Sequence, residues 1–139
     1  MVGVEIDFVV KNCKDALPVY QSIFDLEVVE ATDLPTGNEA IFTLYGTRFH
    51  ILDENPDYQL IAPKEGDPKP MWLNIMVEDI ESTYNKALAA GCTPIQPVTH
   101  MEAMGVANAM FLDPYGYVWM LHQVFREVGM EERIAALED

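Results

Sequence analysis

From Val4 to Lys11 apolar and polar positions alternate. Ile6, Phe8 and Val10 fall on one side and Glu5, Asp7, Val9 and Lys11 on the other, the pattern of a half-buried strand. Asn12 is a helix-capping residue type, and behind it Ala16, Tyr20, Ile23 and Phe24 recur at helical spacing. Pro18 lies inside that run, which predicts a helix that begins late or bends there. Leu26 to Leu34 reads as a strand and Pro35-Thr36-Gly37-Asn38 as a turn. Glu39 to Tyr45 and Thr47 to Asp53 read as a hairpin around Gly46. Asn55 to Pro70 holds four prolines and a glycine and reads as a linker.

The same order then returns. Met71 to Val77 is strand-like, Asp79 is a strong N-cap, and Ile80, Tyr84, Ala87 and Leu88 form an apolar helical face that ends at Gly91. Cys92 to Val98 reads as a strand and His100 to Gly105 as a loop. Val106 to Leu112 and Tyr117 to Gln123 read as a last hairpin. The tail from Phe125 reads as helical, with Met130, Ile134 and Leu137 on one side. A repeated supersecondary unit decides architecture before any single motif does. Two βαβββ modules are expected, at 1–54 and 71–124, joined by a linker at 55–70 and followed by a helical tail at 125–139, all within one structural domain.

Composition narrows the setting. The chain has 139 residues and a net charge of −15, with only eight lysines and arginines. Nucleic acid and anionic membranes both need basic residues to neutralise phosphate, so neither is an expected partner. No apolar run approaches the roughly 20 residues of a membrane helix, and the start MVGVEIDFVV reads as a strand, not a signal peptide. Cys13 and Cys92, two thiols far apart in sequence, fit a reduced, cytoplasmic protein.

The second half, ending FLDPYGYVWMLHQ, resembles the vicinal-oxygen-chelate superfamily of glyoxalase I, bleomycin-resistance proteins and extradiol dioxygenases. Asp113, Pro114 and Gly116 match its aspartate-proline-x-glycine turn, and VEDIESTYNKALAAG matches the helix before it. In the first half DALPVYQSIFDLEVVE, with Pro18 and Tyr20, matches the first helix and second strand. Trp119 and the linker look closest to the branch labelled demethylubiquinone-methyltransferase-like, although no glycine-rich loop of the kind that binds a methyl donor is present. The resemblance implies an α+β fold in which the two modules form a curled eight-stranded mixed sheet around a cup. It also implies that metal-dependent members hold the ion with residues of the first and last strands of each module. It further implies a homodimer.

Carried over one at a time, the ligand positions fall on Glu5, His50, Trp72 and Met120. Only Glu5 and His50 are good donors for a hard or borderline divalent ion, short of the three protein ligands a catalytic metal normally takes. The expected cofactor is therefore none, with Asp7 and His122 the residues that would complete a metal site if one exists. By alternation Asp7, Arg48, Trp72, Asn74, Met120 and His122 are expected to line the cup as ligand contacts, with Glu5 and His50 as an acid–base pair. Arg48 suits a carboxylate or phosphate, or else pairs internally with Glu5 or Asp7. Cys13 sits near a helix N-terminus, a setting that can lower a thiol pKa.

The expected function is metal-free binding of a small molecule in the cup, similar to bleomycin-resistance-type binders. The alternatives are a small-metabolite isomerase or lyase using Glu5 and His50, and a non-catalytic protein whose cup is filled by its own side chains.

Overall fold

The computed structural model describes residues 1–138. Contacts divide the chain into two compact units, Met1–Pro68 and the part from Lys69 onward. The first holds β1 (Glu5–Val10), α1 (Cys13–Ile23), β2 (Glu27–Ala31), β3 (Glu39–Leu44) and β4 (Thr47–Asp53). The second holds β5 (Leu73–Met76), α2 (Ile80–Ala89), β6 (Thr93–Met101), β7 (Val106–Leu112), β8 (Val118–Val124) and α3 (Met130–Glu138). The eight strands form two four-stranded mixed sheets of identical topology, ordered β1-β4-β3-β2 and β5-β8-β7-β6, each with one parallel pair.

The repeat extends to atomic detail. Asn12 Oδ1 accepts the Asp15 amide at 3.2 Å, and Asp79 Oδ1 accepts the Ser82 amide at 3.1 Å, so each helix is capped at its N3 amide. A residue at the end of the last strand then takes each helix's first amide: Asp53 Oδ1 accepts from Cys13 at 2.6 Å and Gln123 Oε1 from Ile80 at 2.9 Å. These bonds join strand end to helix start and hold the helix over one sheet face. In the first unit Phe8, Tyr20, Phe42 and Phe49 pack there, Phe42 stacked on Phe49 at 5.3 Å and Tyr20 edge-on to Phe8 at 5.9 Å.

The DPYG turn is explained by Asp113. Its buried carboxylate accepts the amides of Tyr115 and Tyr117 through Oδ1, at 2.8 and 3.0 Å, and the indole N–H of Trp119 through Oδ2 at 2.8 Å. Tyr45 and Gly46 both take positive φ, 49° and 83°, the geometry of a tight hairpin.

Several boundaries differ from those the sequence pattern predicts. α1 begins at Cys13 with Pro18 inside it, because the Asn12 cap and the Asp53 contact fix its start. β2 stops at Ala31, where Asn38 ties the chain into a loop: its Oδ1 accepts from Thr32 and Leu34 and its Nδ2 donates to the Leu34 carbonyl. His100 belongs to β6, paired with Ala107, and the edge position of β6 accommodates Pro94 and Pro97. The tail is helical only from Met130; before it, Phe125 and Arg126 donate their amides to the Gly105 carbonyl. Among the described residues no helix is long and apolar enough to cross a membrane.

Candidate functional site

The face of each sheet away from its helix carries the polar candidates. In the first sheet the parallel register pairs Glu5 with Arg48 and Asp7 with His50. Strand alternation sends Phe8, Val10, Phe49 and Ile51 to the helix side and these four residues to the other.

The four form one ion network. Arg48 Nε donates to Glu5 Oε2 at 2.5 Å, and His50 Nδ1 lies 3.0 Å from Glu5 Oε1 and 3.9 Å from Asp7 Oδ2. The Arg48 guanidinium, Asp7 and His50 together hold the Glu5 carboxyl down at about 2. Glu5 is therefore ionised at neutral pH and can only accept, which makes His50 Nδ1 the donor and leaves the lone pair of its neutral tautomer on Nε2. That Nε2 has no hydrogen-bond partner, is shielded from solvent and lies 3.8 Å from Glu39 Oε2. The Asp7 carboxyl is pushed up, first by burial and then by the neighbouring Glu5.

In the second sheet Asn74 pairs with Met120 and Met76 with His122, the same register one repeat later. Asn74 thus stands where Asp7 stands in the first sheet, and Met120 where His50 stands. Trp72 is half-exposed just ahead of β5. His122 Nδ1 is buried without a hydrogen-bond partner. Asn108, paired with His122 in the sheet, is buried and accepts from Gln96 Nε2 at 2.7 Å.

Glu39 is the contributor that reading the sequence missed. Alternation along Glu39–Tyr45 gives its parity, but only the pairing of Ile41 with His50 puts it beside the imidazole. At Cys13 burial, reinforced by the nearby Asp53 charge, outweighs the helix N-terminus and pushes the thiol up to about 12. Cys92 is likewise pushed up to about 12, by burial and then Asp113.

The Glyoxalase/Bleomycin resistance protein/Dioxygenase superfamily model matches residues 4–121, and the chain belongs to that superfamily. It is 26% identical over 134 residues to an uncharacterized protein of Mycobacterium bovis, covering 93% of this chain and 88% of the relative. Among solved structures it is similar to the fosfomycin resistance protein FosX of Listeria monocytogenes, with TM-score 0.67 and 17% identity over 96% of this chain and 98% of that one. That Listeria protein has also been solved, as a single-residue mutant, with Mn(II) and a dihydroxypropylphosphonic acid, at TM-score 0.68 and 14% identity, covering 96% of this chain and 98% of that one. A Bacillus cereus PhnB protein, described as a putative 3-demethylubiquinone-9 3-methyltransferase, superposes with TM-score 0.63 at 21% identity, covering 88% of this chain and 98% of that one. Likeness at these identities shows the fold.

The superfamily implies a metal in some members, and the donors present here test that. Glu5, Asp7 and His50 bring ligand atoms within 4.8 Å of one another. Three features of the donor set oppose an ion. Both Glu5 oxygens are already engaged, His50 Nδ1 carries a proton directed at Glu5, and a guanidinium already neutralises one carboxylate. As arranged, the residues do not fit the metal.

Proposed function

We propose that this protein binds a small cationic molecule on the open face of its first sheet, without a metal ion. The supporting observation is the charge balance of that face. The carboxylates Glu5, Asp7 and Glu39 outnumber the lone guanidinium of Arg48, whose Nε is bonded to Glu5. Three carboxylates against one guanidinium give the face more acidic than basic groups. A chain of net charge −15 draws cations toward it. A binding function is in keeping with the superfamily, whose name includes bleomycin resistance proteins beside glyoxalases and dioxygenases. The protein acts as a homodimer in this reading, and the exposed Met130, Ile134 and Leu137 of α3 supply apolar surface for pairing.

Acid–base chemistry at the same residues is the second reading. A carboxylate held at about 2 is a weak base near neutral pH, so the base would have to be His50, oriented by Glu5. The covered Nε2 leaves no lone pair open to a substrate in this arrangement, which ranks catalysis below binding.

A thermal-shift panel of small organic cations and anions, run in chelator, tests the reading. Cations are expected to raise the melting temperature of the native protein, and Glu5→Gln with Asp7→Asn to abolish the rise. A rise seen only after adding divalent metal, or only with anions, overturns it.

A further inference from the structure

Glu5, Asp7 and His50 have the composition of a divalent-metal site and a spacing to match, with ligand atoms all within 4.8 Å. One residue in contact with them is of the wrong kind. Arg48 stands opposite Glu5 on the neighbouring parallel strand and directs Nε onto Glu5 Oε2 at 2.5 Å. The second module does not repeat it: the register that equates Asp7 and His50 with Asn74 and Met120 puts Val118 at the place of Arg48.

We propose that Arg48 stands in for the metal ion: its fixed positive charge satisfies the carboxylates and excludes a divalent cation from Glu5, Asp7 and His50. This rests on the metal-free reading above and extends it to a cause. With Arg48 present, the Glu5–Asp7 pair and the guanidinium carry a net single negative charge. Without it the pair carries two, which a divalent ion matches, and Glu5 Oε2 is released. Repulsion acts at short range, because a guanidinium bonded to one ligand oxygen lies within a few ångströms of any ion held by the other. At the half-buried strand face, two positive charges against one at about 5 Å lower affinity by at least ~10-fold even in a strongly screening medium. A guanidinium also stays charged at every relevant pH, so the exclusion does not lapse near neutrality.

The test is calorimetric titration of Zn(II) and of Mn(II) into untagged, chelator-stripped protein, with near-ultraviolet circular dichroism confirming the fold of each variant. The native protein and Arg48→Lys, which keeps the charge, are expected to bind neither ion at a defined stoichiometry. Arg48→Met is expected to bind one ion per chain at least ~10-fold more tightly than native, and adding His50→Ala to Arg48→Met is expected to remove that binding. Arg48→Gln, closer in polarity, serves the same purpose if Arg48→Met does not fold. If native protein excludes metal and both neutral variants exclude it too, the assignment to Arg48 is overturned while the metal-free reading stands. If native protein itself binds one ion tightly, both fall.

Discussion

Asp113 gives the most calculable perturbation in the molecule. Its buried carboxylate accepts hydrogen bonds from two turn amides and from the Trp119 indole, the last at 2.8 Å. Asp113→Ala removes the carboxylate from all of these donors. The amides of Tyr115 and Tyr117 sit in a half-buried turn where water can partly replace the carboxylate, costing about 1 kcal/mol each. Trp119 is fully buried, so loss of its bond to Asp113 costs about 2 kcal/mol. The substitution should therefore destabilise the second unit by about 4 kcal/mol. Asp113→Asn keeps the shape and the acceptor for the amides but turns an N–H toward the indole N–H, for a loss of about 2 kcal/mol. Urea unfolding followed by far-ultraviolet circular dichroism reads these losses without depending on the fluorescence of Trp119. A double-mutant cycle with Trp119→Phe isolates the pair and should return a coupling of about 2 kcal/mol. A coupling below about 0.5 kcal/mol would show that the indole contact is incidental.

Other consequences are as direct. The Glu5 carboxyl should titrate near 2 by carbon-detected NMR, and Arg48→Met should raise its midpoint toward the ordinary 4.5, since Arg48 is the largest cause of the shift. A depressed folded-state pKa stabilises above the unfolded value, so Glu5's contribution is complete above pH 4.5 and lost as pH falls toward 2; Glu5→Gln should flatten that part of the stability profile. Cys13 and Cys92, buried with thiols pushed up to about 12, should resist iodoacetamide at pH 8 in the native protein and react readily in denaturant; rapid native alkylation of either would contradict their burial. Gly105 has φ +68°, and a Cβ there would lie 2.5 Å from the Arg126 carbonyl oxygen. Gly105→Ala should therefore cost at least ~2 kcal/mol in urea unfolding, and a neutral result would mean that the turn before β7 relaxes freely.

The strands, the helices and their duplication were legible because each leaves a periodic trace: alternation in β1, helical spacing after Asn12 and Asp79, and glycine turns at Gly46 and Gly116. Counting along that repeat was enough to bring Glu5, Arg48, Asp7 and His50 onto one face, since parallel pairing of β1 with β4 follows from the module itself. What did not show was anything set across strands or by side-chain direction. Glu39 reaches His50 only through the β3–β4 register. The choice of Arg48 between Glu5 and Asp7 depended on rotamers, and the direction of the Cys13 shift depended on burial outweighing the helix N-terminus. The extent of β6 past Val98 was hidden because His100 read as the start of a loop, whereas its pairing with Ala107 keeps it in the strand.

The central claim is that Glu5, Asp7, Arg48 and His50 form a metal-free binding face. Elemental analysis of protein purified without a histidine tag, paired with thermal melts before and after chelator, tests it most directly. The account predicts metal far below one ion per chain and a melt that chelator leaves unchanged. One ion per chain, whose removal lowers the melting temperature and whose retention requires Glu5 and His50, would contradict it.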